Sequence, residues 1–223
     1  MMLLAVDTSG KEGSLALARV ELGQERIELL ELARLEGGAF SAQLVPEMAA
    51  LLDRQGCTRN DVDGFAVAAG PGSFTGLRVG LAAIKALGEA LQKPIMAVSL
   101  LEAVARSGRQ ARVLAVLEAG RGDVYCGDYE VNPALRMRSE RLLSREEMVE
   151  AARGKAVVTP ERELAEELRS AGVAVMVAER PDAGVIARVG WERWQRGETV
   201  GPEELEANYI RRTDAEIFSK RAR

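Results

Sequence analysis

Histidine is missing altogether from the 223 residues of this chain. That removes the HExxH zinc site and every catalytic triad that relies on an imidazole base. Carboxylates could still hold magnesium, so metal as such is not excluded, but zinc hydrolysis very nearly is. Cysteine is almost as scarce: Cys57 and Cys126 stand far apart, with no metal or redox spacing, which fits a reduced protein of the cytoplasm. Aromatic residues make up only 4% of the chain, so its core must be mostly aliphatic. Long hydrophobic runs are absent too. The opening MMLLAV reaches Asp7 too soon for a signal peptide, and nothing further on could cross a bilayer, so no membrane role is expected. A net charge of −4 argues against strong independent binding to nucleic acid. Arg136, Arg138 and Arg141, and the tail residues Lys220, Arg221 and Arg223, read as a solvated face and a solvated end.

The most informative stretch runs from Ala66 to Leu91, AVAAGPGSFTGLRVGLAAIKALGEAL. Residues 65–69 form an apolar run suited to a buried strand. Gly70, Pro71 and Gly72 make a turn, after which Ser73 or Thr75 can cap a long helix starting near Gly76. Such a layout points backbone N–H groups at one spot, which suits an anion. It equally serves a strand that must turn tightly into a packed helix. No Lys-Ser or Lys-Thr pair follows Gly76, so it is not a Walker loop; the glycine spacing also fails the dinucleotide fingerprint. Pro71 and Thr75 stand where a nucleophile elbow needs glycines.

The chain reads as two halves built alike. In the first, strands are expected at 3–6, 14–20 and 27–35, a helix at 41–54, a strand at 64–69, a helix at 76–91, a strand at 95–98 and a helix from 99. In the second, strands are expected at 113–117, 124–131 and 137–143, and a helix after Ser144 whose capping box Glu147 completes. A strand at 156–158, a helix at 161–170, a strand at 173–177 and a helix at 182–195 follow. The text itself echoes, LAVDTSGKEGSLAL against LAVLEAGRGDVYCG, and a period this long means two domain-sized copies. The expected division is 1–107 and 108–223.

GPGSFTGLRVG (Gly70 to Gly80), preceded by LAVDTSGKEGSLAL (Leu4 to Leu17), closely resembles the TsaB family, also called YeaZ. The likeness extends to SAQLVPEMAALL, AGRGDVYCGDY and ANYIRR, and so touches nearly the full length. The duplicated order of three antiparallel strands and then alternating helix and strand resembles the ribonuclease-H-like α/β superfold of actin, sugar kinases and Hsp70, with two lobes. That analogy does not assign function by itself. It does imply where phosphate would lie, over the first hairpin of each lobe. Asp7, Thr8, Ser9 and Ser14 match in type the metal-binding and phosphate-touching residues of such a hairpin, with Gly70, Gly72 and Ser73 beside them. A strand end followed by a polar turn accounts for the same residues. The second hairpin offers Glu118 and Ala119-Gly120-Arg121 where kinases have Asp and glycine. No late glycine pair suits an adenosine, so the nucleotide site reads as vestigial.

Leu44, Met48 and Leu51 form one stripe on the first long helix, and Val45, Ala49 and Leu52 form a second. The next helix carries a broad apolar stripe and another of mostly small residues, with Gly76, Gly80, Ala83 and Leu87. One stripe packs a helix on a sheet. A second implies a further neighbour, either within the lobe or from another chain. The resemblance favours another chain, because TsaB proteins pair through these helices with each other or with TsaD. It further implies a non-catalytic scaffold subunit with no cofactor of its own. In that role it serves TsaD and TsaE in placing threonylcarbamoyl on the adenosine beside the anticodon of tRNA, with ATP or ADP held at an interface of the complex. The competing reading is a small-molecule kinase or ATPase of the same superfold.

Overall fold

The computed structural model describes residues 1–108, 110–131 and 135–210; the tail residues Lys220, Arg221 and Arg223, and the last two arginines of ANYIRR, lie outside them. The chain forms two compact units: Met1–Ala103 with Arg180–Ala207, and Val104–Glu179 with the segment that starts at Asn208.

The first unit is built on β1 (Met2–Asp7), β2 (Gly13–Arg19), β3 (Glu28–Leu35), β4 (Gly64–Gly70) and β5 (Ile95–Ser99), in the sheet order β3-β2-β1-β4-β5. β1 runs antiparallel to β2 and parallel to β4, and β5 is parallel to β4. Strict alternation along the strands sorts their side chains by size. Leu4, Val6, Leu15, Leu17, Phe65 and Val67 face the hydrophobic core formed with α1 (Phe40–Arg54) and α2 (Phe74–Leu91). The residues between them, Ala5, Ala16, Ala18, Ala66 and Ala68, are small and also buried. A helix can come close to a face of alanines, and α6 (Ala183–Gln195) does so through contacts with β1, β2, β4 and β5. Gly190 sits so near that an added Cβ would lie 2.5 Å from Ala66 Cβ. Trp191, fully buried, donates from Nε1 to the Gln24 carbonyl at 2.7 Å, which ties α6 to the connection between β2 and β3. The buried Glu102 carboxylate receives Arg193 Nη2 at 2.6 Å and holds the far side of the helix.

The expected division at residue 107 is therefore corrected at one point. The helix at 182–195 ends the second half in sequence but packs on the first sheet. α1 begins at Phe40, so Pro46 falls inside the helix, beyond its first turn. Pro46 lacks an N–H for the Ala42 carbonyl, but both residues are exposed, and water can take the freed acceptor.

The second unit repeats the pattern with β6 (Arg112–Gly120), β7 (Asp123–Val131), β8 (Leu135–Ser144), β9 (Ala156–Thr159) and β10 (Val175–Val177), ordered β10-β9-β6-β7-β8. Here α4 (Arg145–Ala152) and α5 (Arg162–Ser170) supply Met148, Ala152, Leu164 and Leu168 to the core. Ser144 and Glu147 cap α4 reciprocally, as their spacing predicts. Asp128, nearly buried, accepts Arg112 Nε and Nη2 at 3.0 and 2.8 Å and Lys155 Nζ at 2.9 Å. Burial pushes its carboxyl upward, but the two cations outweigh burial and hold it below the usual carboxylate range. Since the folded value lies below the unfolded one of about 3.9, this stabilisation is complete above that pH and is lost as pH falls through the folded value. Asp128→Asn should cost about 1–2 kcal/mol at pH 7 and flatten the decline of the urea midpoint below about pH 4. A mutant with the wild-type acid profile would show that another carboxylate governs it.

Candidate functional site

The seven residues read as a vestigial phosphate site do come together. β1 ends at Asp7, β4 ends at Gly70, and both deliver their turns to the start of α2. Asp7 Oδ1 accepts the Ser9 N–H at 2.8 Å, forming a tight polar turn. Thr8 Oγ1 donates to the Gly76 carbonyl at 2.8 Å, and the Ser73 N–H donates to the Ser9 carbonyl at 2.8 Å. Gly70 has φ of 112°, which glycine tolerates, and a cis bond to Pro71 follows it. The other two glycines of the turn serve close approach. A Cβ on Gly72 would meet the Ser9 carbonyl oxygen at 2.5 Å, and one on Gly76 would strike the Thr8 carbonyl oxygen more closely still. The GPGSFTG turn is thus pressed against the backbone of the first hairpin.

Several donors that an anion could use are taken by the chain itself. Ser73, the N-cap of α2, accepts from the Gly76 N–H at 3.3 Å. At the start of α6, the Ala183 N–H goes to Ser14 Oγ at 2.8 Å. The Gly184 and Val185 N–H groups go to Asp182 Oδ1 at 2.9 and 3.1 Å. Asp182 is an ordinary N-cap and legible as one, yet its place beside Asp7 follows from the return of α6 and was not foreseen. Arg180 was missed for the same reason. Burial is the main influence on Asp7 and raises its carboxyl pKa; interactions with Ser9 and the charge of Arg180 oppose that rise, and Asp182 adds to it. Among the described residues, no group of three or more histidine, cysteine or acidic side chains could hold a metal ion. In the second unit, Glu118 Oε1 accepts the Gly120 N–H at 3.1 Å while Oε2 accepts Arg145 Nη2 at 2.7 Å. Its carboxylate is occupied within its own unit.

The residues assigned to a partner surface separate into two sets. Leu44, Met48 and Leu51 are buried in the core of the first unit. Gly76 and Gly80 are buried against Thr8, and a Cβ on Gly80 would collide with Thr8 Oγ1. These five cover their own sheet, which corrects the assignment: small residues are needed there by the first hairpin. Ala83 and Leu87 are only half-buried. The outward side of α2 carries Phe74, Arg78, Ala82, Ala86 and Ala90, all exposed, with the Arg78 guanidinium 3.7 Å above the Phe74 ring. Val45 is exposed on α1.

Two sheets of the same strand order, each begun by a hairpin and crossed by parallel strands, define a duplicated ribonuclease-H-like α/β protein. Residues 35–172 match the family model described as TsaD: tRNA N6-adenosine threonylcarbamoyltransferase. The chain is 34% identical to the tRNA threonylcarbamoyladenosine biosynthesis protein TsaB of Bacillus subtilis, over 60% of this chain and 58% of that one. It is 30% identical to TsaB of Escherichia coli, over 58% and 55% respectively. YeaZ from Pseudomonas aeruginosa superposes with a TM-score of 0.72 at 29% identity, covering 93% of this chain and all of that one (100%). The chain belongs to this family, and within it to the TsaB (YeaZ) group. Its matches span a little over half the length of the curated TsaB relatives.

Proposed function

We propose that the protein is a non-catalytic subunit in the synthesis of threonylcarbamoyladenosine on tRNA, acting by association with the TsaD transferase. The observation that carries this reading is the closure of the first hairpin by its own chain. Ser14 and Asp182 take the leading N–H groups of α6, and the glycines of GPGSFTG lie against Thr8 and Ser9. The fold is that of a family of transferases, but the chain supplies no histidine for metal, and its own side chains and backbone take several of the donors around the first hairpin. Its contribution is then a surface. The exposed side of α2, from Phe74 to Ala90, is apolar or small over most of its length and suits a helix from TsaD or from a second copy of this chain. TsaE and tRNA would join through that assembly, and ATP or ADP would be held there rather than by this chain alone.

Ala86→Arg is the variant of choice, because Ala86 is exposed and its replacement leaves the core untouched. It should keep the wild-type melting temperature, lose co-purification with TsaD, and lower threonylcarbamoyl transfer by the reconstituted complex at least tenfold. Normal binding by this variant would place the surface elsewhere. ATP hydrolysis by the pure chain, abolished by Asp7→Ala, would favour the kinase reading instead.

A further inference from the structure

β5 is the last strand of the first sheet, and an edge strand leaves backbone groups in need of partners. The chain that follows α6 supplies one. The Val200 N–H donates to the Ile95 carbonyl at 2.9 Å, and the two residues form an antiparallel bridge. A tight turn comes next. The Glu204 and Leu205 N–H groups both reach the Gly201 carbonyl at 3.1 Å, while Glu204 Oε2 accepts the Gly201 N–H at 3.1 Å. This turn puts Leu205 into the core that α1 and α2 share with the sheet, and Val200 and Ala207 pack against the same core. Glu204 and Glu206, on either side of the buried leucine, are exposed. Two contacts bring α2 into the arrangement. Lys85 Nζ donates to the Glu203 carbonyl at 3.4 Å, a long bond. Further along the helix, a Cβ on Gly88 would stand 2.6 Å from Ile95 Cδ1, so α2 rests on the residue that Val200 also holds. Lys85 borders the exposed face of α2, since its neighbours on the helix surface, Ala82 and Glu89, are exposed.

We propose that Val200–Ala207 is a strap that fixes the second half of α2 from its flank, and that Leu205 is the positioning residue through which it presents the exposed face of that helix to TsaD. A segment held by one buried leucine and a few hydrogen bonds opens at lower free energy than the sheet beneath it, and α2 loosens when it does. The presentation of the face rests on the association with TsaD proposed above; the hold on α2 does not.

Amide hydrogen exchange on the isolated full-length chain, with TsaD binding measured beside it, tests both parts. Leu205→Ala should speed exchange about tenfold in residues 84–91 and in β5, and leave β1 and β2 at wild-type rates. Leu205→Met, which keeps the volume, should restore slow exchange. Lys85→Met leaves Leu205 in place and should act on the same residues by a smaller factor, so the strap is tested even if Leu205→Ala fails to fold. Affinity of Leu205→Ala for TsaD should fall about tenfold, and Leu205→Met should recover it. Unchanged exchange in α2 in both the Leu205→Ala and Lys85→Met proteins overturns the strap. Equal acceleration in β1 and β2 also overturns it, because Leu205 would then be an ordinary core residue. Undiminished TsaD binding by Leu205→Ala overturns the positioning role, and Ala86→Arg says why. If Ala86→Arg has lost binding, the strap is at fault; if it too binds normally, the α2 surface itself is.

Discussion

Gly76→Val should unfold the first unit or come close to it, with a loss of about 3 kcal/mol or more. The obstacle is backbone, not a side chain that can swing away: the nearest atom to the new Cβ would be the Thr8 carbonyl oxygen, with the Thr8 carbonyl carbon at 3.3 Å. Relief requires α2 to move away from β1, which would break the bond from Thr8 Oγ1 to the Gly76 carbonyl and open the core around Leu77 and Ile84. Gly72→Val tests the neighbouring contact with Ser9 and should be the milder of the two, because Gly72 is half-buried and lies in the turn, outside α2. Urea titration followed by circular dichroism measures both. A Gly76→Val protein with an unchanged midpoint would mean that the helix start is free to shift, and the close-packed description of this turn would fail.

Trp191→Ala is the second change with a large expected effect, about 3–5 kcal/mol for a fully buried tryptophan. It also removes the bond from Nε1 to the Gln24 carbonyl, leaving that acceptor unpaired unless water reaches it. The location of the damage is the sharper readout. Amide hydrogen exchange should quicken in β1, β2 and β4, strands that α6 covers, although residue 191 follows every strand of the second unit in sequence. Protection in β6 and β7 should stay close to wild type. Faster exchange confined to the second unit would contradict the placement of α6.

These two sites mark what the sequence could and could not reveal. The alternation of large and small residues in LLAV, SLALA and FAVAA announces strands with two buried faces, and both faces exist. Ser73 and the Ser144–Glu147 pair cap the helices that they precede, because capping is decided within four residues of chain. Periodicity says that a helical stripe is apolar, not what covers it. Leu44, Met48 and Gly80 looked available for a partner when only the helix was in view, and the sheet and hairpin beneath them account for their burial. The place of Arg180 was illegible for a similar reason: it lies beside Gly10, far away in sequence, because α6 returns to the first sheet.

That return has a consequence for synthesis. When a ribosome has made residues 1–103, three of the strands already carry a row of alanines that no helix yet covers, and the helix that fits them is still untranslated. Residues 104–179 of the second unit must be produced first, which takes roughly 4–15 s at bacterial elongation rates of about 5–20 residues per second. The nascent chain therefore cannot complete its domains from front to back. The later unit has all its helices to hand earlier, and the first waits, with an apolar sheet face open to chaperones, until residues 180–207 emerge.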